Sequence, residues 1–81
     1  MNNMDKHMQE FAARVRARRS YLKLRAQDVA LEVGVSAATY SHYEAGRRAP
    51  TLAVAVKLAA VLGASLDELF GGVLNENACK D

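Results

Sequence analysis

The sequence predicts an all-α fold, a single compact domain of five short helices, on three observations. Apolar residues recur at intervals of three and four, the period of an amphipathic helix. No alternating period-two run and no internal repeat occurs in the 81 residues. Gly, Ser, Thr and Pro fall between the periodic segments, where helices start and stop. At this length one core is the most the chain can build, and its modest burial leaves a motive for self-association.

The first helix is predicted over residues 5–21, where Met8, Phe11, Ala12 and Val15 mark one side that continues to Leu22. Arg18 and Arg19 fall on or beside that side. An unpaired charge there is costly, so at least one of them needs a partner. In the second helix, Ala26, Val29, Ala30 and Val33 share a face, and Gly34 ends it because glycine tolerates positive φ. Ser36 offers an N-cap oxygen to a third helix over residues 37–45, which carries Tyr40 and Tyr43 on one side and stops at Gly46. Arg47-Arg48-Ala49-Pro50 is a loop, since proline disfavours helix at the residue before it. Thr51 caps a fourth helix from Leu52 to Leu62, and Gly63 ends it. Ser65 caps a fifth from Leu66 to Phe70, with Asp67 and Glu68 where the helix dipole favours acids. The domain then takes in residues 5–72, with 1–4 and 73–81 as flexible termini, although Val73 and Leu74 have the character to pack.

Composition excludes several classes of function. The lone Cys79 forms no intramolecular bridge, and MNNMDKHMQE has no apolar leader segment, so a cytoplasmic location is expected. The tract from Leu52 to Ala64 is broken by Lys57 and falls short of the ~20 residues of a membrane span. His7, His42 and Cys79 lack metal-ligand spacing, and there is neither a phosphate-cradling glycine loop nor a nucleophile with a base in reach. No enzyme, metal, cofactor or membrane partner is therefore expected. The net charge of +2 hides a split: Arg14, Arg16, Arg18, Arg19, Lys23 and Arg25 stand without an acid between Phe11 and Gln27, and Arg47, Arg48 and Lys57 lie in another acid-free stretch. Asp67, Glu68, Glu76 and Asp81 face only Lys80 toward the C-terminus. Such a split directs one end at an anionic partner, the plainer reading being a solvated helix face.

The second helix, the turn Gly34-Val35-Ser36 and the third helix compose a helix-turn-helix, in which Val35 plugs the angle and the second member presents its outer face. Around it stand Val15, Arg19, Leu24, Val29-Ala30, Ser41, Glu44, Gly46, Pro50, Leu58-Ala59, Leu62, Leu66 and Leu69-Phe70. In order and spacing these residues resemble the Xre group of the helix-turn-helix family, the DNA-binding domains of lambdoid phage repressors and Cro proteins. The resemblance implies that the third helix enters the major groove of double-stranded DNA, that the protein binds as a two-fold homodimer, and that Arg19 pairs with Glu44 in the interior.

Mapped by the motif, the base-reading positions are Ala37, Ala38, Thr39 and His42. Alanine has no donor or acceptor, so Ala37 and Ala38 either approach thymine methyl groups or serve only as good helix formers, and Thr39 and His42 are left as the hydrogen-bonding readers. Ser36, Ser41, Arg25, Gln27, Arg47 and Arg48 are placed for the sugar-phosphate backbone. Tyr40 and Tyr43 lean toward the core, with the Tyr43 hydroxyl still available to a phosphate. Arg25 and Ala26 replace the family's polar cap and glutamine, which puts the anchoring of the second helix on DNA in question.

On the fourth helix Leu52, Ala55, Leu58, Ala59 and Leu62 are expected to face the core, and Ala53, Val54, Ala60 and Val61 the other side with Lys57. A surface helix should be polar there, so a dimer interface of helices 4 and 5 is expected, with Val54, Val61, Leu66, Leu69 and Phe70. The function expected is that of a sequence-specific DNA-binding transcriptional regulator, a homodimer on a partly palindromic operator that could include its own gene's. An alternative is an antitoxin or adaptor that holds a protein partner such as a toxin through helices 4 and 5. RNA polymerase is a further partner if the regulator activates.

Overall fold

The structure, a computed structural model, describes residues 3–71 and, from residue 6 onward, their side chains. It is all-helical over these residues: α1 (Asn3–Tyr21), α2 (Ala26–Val33), α3 (Ala37–Glu44), α4 (Leu52–Leu62) and α5 (Leu66–Leu69). Asn3 and Met4, expected to be flexible, belong to α1. α3 and α5 stop one residue sooner than their patterns indicate, with Ala45 and Phe70 in the capping positions. The other residues expected to be flexible, with Val73 and Leu74, lie outside the described residues.

Local chemistry sets the boundaries. Ser36, Thr51 and Ser65 each accept a backbone N–H from three residues on, satisfying donors that the first turn leaves open. Ser65 and Glu68 complete a reciprocal capping box. α2 ends at Gly34 with φ +81°, where the Val35 N–H reaches the Ala30 carbonyl at 3.0 Å and turns the chain into α3. A β-carbon there would meet nothing within 4 Å, so the left-handed backbone alone calls for glycine. α1 ends in the same geometry without a glycine: Lys23 takes φ +60°, and the Leu24 N–H returns to the Arg19 carbonyl at 3.1 Å.

All five helices contribute to one core, whose most deeply buried side chains are Val15, Val29, Val33, Tyr40, Leu58, Leu62 and Leu69. α1 packs on α3, α4 and α5, α2 on α3 and α4, and α4 also on α5. Because α4 meets three neighbours, its inner stripe is wide: Ala55, Leu58, Ala59 and Leu62 are buried, and Val54 and Val61 are half-buried against the same core. That corrects their expected place on the outer face. Leu52, expected inside, is 74% exposed in the first turn of α4, and Val56 is 51% exposed. Leu69, expected at a dimer contact, is spent in the core as the inner residue of the one-turn α5. Leu66 and Phe70 are half-buried beside it. Among the described residues no helix is long and apolar enough to cross a membrane.

Candidate nucleic-acid interface

The outward face of α3 follows from what its inward face must bury. Tyr40 and Tyr43 pack edge to face, ring centroids 6.5 Å apart, and are both buried. The opposite side therefore exposes Ala37, Ala38, Ser41 and His42, with Thr39 half-exposed at the tip. Ser36 accepts the Thr39 N–H at 3.0 Å and donates to Thr39 Oγ1 at 2.9 Å, so this expected phosphate contact already has a structural task. The Thr39 hydroxyl, accepting from Ser36, keeps its own proton to donate outward. Tyr43 is 6% exposed, which leaves its hydroxyl little surface for the expected phosphate contact.

Basic residues flank this face on both sides. At the head of α2 Arg25 holds the N-cap position without a side-chain cap bond; its guanidinium instead meets Asp28 at 3.0 Å on the surface. Gln27 is exposed beside it. After α3, Arg47 and Arg48 are exposed; the Arg47 backbone N–H donates to the His42 carbonyl at 3.0 Å, but neither side chain has a hydrogen-bond or ion-pair partner among the described residues.

Three arginines of the basic run, Arg16, Arg18 and Arg19, bind within the scaffold instead of facing an anionic partner. Arg19 Nε meets Glu44 Oε2 at 2.6 Å and Nη2 meets Oε1 at 3.1 Å. The Tyr40 hydroxyl donates to the same carboxylate at 2.5 Å. Burial pushes Glu44 up, but the hydrogen bonds from Arg19 and Tyr40 and the nearby charges of Arg19 and Arg16 outweigh it and hold the carboxyl below its ordinary value. The hydrogen bond to Glu44 raises Arg19 against its own desolvation. Burial first, and then the hydrogen bond to Glu44, raises Tyr40.

Two more arginines of α1 tie down helix ends. Arg16 donates to the Glu44 carbonyl at 2.7 Å, and Arg18 donates to the Leu62 carbonyl at 2.8 Å and the Gly63 carbonyl at 3.4 Å. Cations on these last-turn carbonyls complement the helix dipole. Gln9 adds a bond to the Gly46 carbonyl at 3.2 Å. Periodicity gave no signal for these contacts, because it reports which face a residue occupies and not which carbonyl it reaches. Among the described residues no three His, Cys, Asp or Glu side chains form a group that could hold a metal ion.

The comparisons agree with this frame. Residues 15–69 match the family described as helix-turn-helix. An uncharacterised HTH-type transcriptional regulator of Bacillus subtilis, YqaE, is 31% identical over 71 residues, covering 88% of this chain; the chain spans 61% of that relative's length. Among solved structures, the P22 c2 repressor protein in complex with synthetic operator 9T is similar with TM-score 0.74 and 34% identity, over 79% of this chain and 97% of that one. The restriction-modification controller protein C.AhdI of Aeromonas hydrophila gives TM-score 0.72 and 27% identity, over 76% and 94%. With its turn at Gly34-Val35-Ser36, its outward α3 and its matched length, the chain belongs to the helix-turn-helix family.

Proposed function

We propose that this protein is a sequence-specific regulator of transcription that binds double-stranded DNA as a homodimer on a partly palindromic operator, its own gene's included. The observation that carries the reading is the composition of the exposed α3 face: small or hydrogen-bonding residues throughout, no acid, and unpaired arginines following it. The P22 c2 repressor, similar over most of this chain, is a repressor seen on an operator.

In this reading Ala37 and Ala38 let α3 sit deep against thymine methyl groups, and Thr39 and His42 hydrogen-bond to base edges. Arg25, Gln27, Ser41, Arg47 and Arg48 hold the phosphates, with Ser36 and Tyr43 at the margin. Direct readout by so few polar groups is modest, so DNA shape contributes to selectivity. The two-fold contact lies on the outer strip of α4, Ala53, Val56 and Ala60, all exposed, beside Leu52. It presents two α3 helices roughly 34 Å apart, one turn of DNA.

Fluorescence anisotropy with the DNA upstream of the protein's own gene, and with scrambled DNA of equal length, tests this at two salt concentrations. Preference for the upstream fragment that survives higher salt is expected. If two of Arg25, Arg47 and Arg48 per subunit are on phosphates, the slope of log affinity against log salt is near −3.6 for the dimer, and if all three are, about −5.4, at roughly 0.9 per contact. Equal binding to both fragments, fading with salt, would refute sequence-specific autoregulation and leave a basic surface only.

A further inference from the structure

A cavity of about 390 Å³ opens between the first half of α1, the loop after α3, the start of α4 and α5. Its floor is the core itself: Phe11 and Ala55 are nearly buried, and the rings of Phe11 and Phe70 stack with centroids 4.8 Å apart. Leu66 and Pro50 complete apolar walls, and Arg48 is the one charged residue among the lining residues described. Such a volume falls within the range of small-molecule sites, roughly 300–1,000 Å³. Ordered water needs polar partners, and an apolar floor supplies none, so the site favours an apolar occupant.

Arg48 gives that occupant a second attribute. Its guanidinium has no hydrogen-bond or ion-pair partner among the described residues, and it stands where the cavity meets solvent. One unpaired positive charge beside an apolar hollow matches one negative charge joined to an apolar body; a dianion would leave a charge uncompensated. We propose that this cavity binds a small apolar monoanion, an aryl or medium-length alkyl carboxylate, with its body against Phe11 and Phe70 and its carboxylate on Arg48.

Occupancy has a consequence that rests on the DNA-binding reading above. Arg48 is also placed for a phosphate, and a carboxylate on its guanidinium removes that contact from each subunit. DNA affinity falls, and the salt slope of the dimer becomes shallower by about 1.8, two contacts at roughly 0.9 each. The ligand is thus an effector that releases DNA.

The binding step is tested without DNA, so its failure is distinct from a failure of the DNA-binding reading. Titrating the full chain with 4-phenylbutyrate, and with its uncharged amide as control, is followed by NMR at Phe11, Ala55, Leu66 and Phe70. Saturable shifts at millimolar ligand are expected at these four residues. Arg48→Gln, a substitution at an exposed site, should weaken the carboxylate about fivefold, the effect of one partly exposed ion pair, and leave the amide unchanged. No saturable shift at these residues, or equal carboxylate affinity in Arg48→Gln, overturns the proposal. So does movement of the same resonances with protein concentration alone, which would assign the cavity to a second copy. Full anisotropy titrations with DNA then read the coupling: 4-phenylbutyrate should lower the DNA affinity of wild type toward that of Arg48→Gln, which already lacks the contact, and should not lower the affinity of Arg48→Gln further; an equal fold-loss in both would refute the coupling.

Discussion

Glu44 receives three hydrogen bonds on its carboxylate, two from Arg19 and one from Tyr40, and its own backbone carbonyl takes a fourth from Arg16. This residue joins the C-terminal end of α3 to α1, so it fixes the tilt of the face that reads DNA in the proposed function. Glu44→Ala leaves the Tyr40 hydroxyl without its acceptor and the desolvated Arg19 with only the Leu24 carbonyl, 2.9 Å from Nη1. The cost should be about 3 kcal/mol, the lower end for a broken buried pair, because Arg19 keeps 19% exposure. At roughly 0.05–0.15 kcal/mol per residue a domain of this size has about 4–12 kcal/mol in all, so the melting temperature should drop by more than ~10 °C. An unchanged thermal melt would contradict the arrangement. The pH dependence has a fixed sign. Glu44 titrates below its unfolded value when folded, so its contribution is complete above about pH 4.3 and is lost as pH falls through the folded value. The stability gap between wild type and Glu44→Ala, measured by urea unfolding, should hold constant from neutral pH to about 5 and shrink in stronger acid. That at least one of Arg18 and Arg19 needed a partner was legible from their place on or beside an apolar face. That the partner was Glu44 came only through the resemblance.

α2 shows what an element loses when its cap is diverted. Its N-cap residue Arg25 has extended backbone, φ −84° and ψ 143°, the geometry in which Ser, Thr, Asp or Asn would bond the first-turn N–H groups, yet its side chain bonds Asp28 instead. Arg25→Ser should therefore stabilise the domain by roughly 0.5–1 kcal/mol, more so because Asp28 then stands three residues after a serine cap. If Arg25 also holds a phosphate, the same substitution lowers DNA affinity and makes the salt slope shallower by about 1.8 for the dimer. Urea unfolding and anisotropy read the two effects separately; lower stability with unchanged DNA binding would refute both halves. Most element ends were legible, because Ser36, Thr51, Ser65 and Gly34 act within a few residues of themselves. α1 ends at Tyr21, where its spacing placed the end, but the way it ends was not legible: Lys23 adopts the left-handed conformation that Gly34 adopts after α2, and lysine carries no sign of it. The inner face of α4 was legible only in part. Spacing locates a stripe, but its width depends on how many helices press on it, and contact with α1, α2 and α5 draws Val54 and Val61 inward.

On the scale of the whole molecule, the exposed apolar surface bears on assembly. A domain of this size buries only about 60% of its unfolded surface, and a two-fold contact adds burial at the cost of one interface. The residues first expected to supply it do not all have surface to give: Leu69 is 2% exposed, and Val54 and Val61 lean into the core. Val56, Ala53 and Ala60 remain on the outer strip of α4, with Lys57 the only charge among them. In the proposed dimer a contact there leaves both α3 faces to meet successive major-groove turns. Val56→Glu tests it cleanly, because a side chain 51% exposed tolerates a carboxylate without unfolding the monomer. Sedimentation equilibrium should find wild type dimeric at about tens of micromolar and the variant monomeric, with its melting curve shifting little. DNA affinity should fall by far more than one lost contact explains, since each half-site would then bind a free monomer and the linkage between two binding events is gone. A dimeric Val56→Glu would move the two-fold contact off α4. A monomeric wild type that still prefers its operator would instead mean that one α3 face, with its few hydrogen-bonding residues and the arginines around it, is sufficient for recognition.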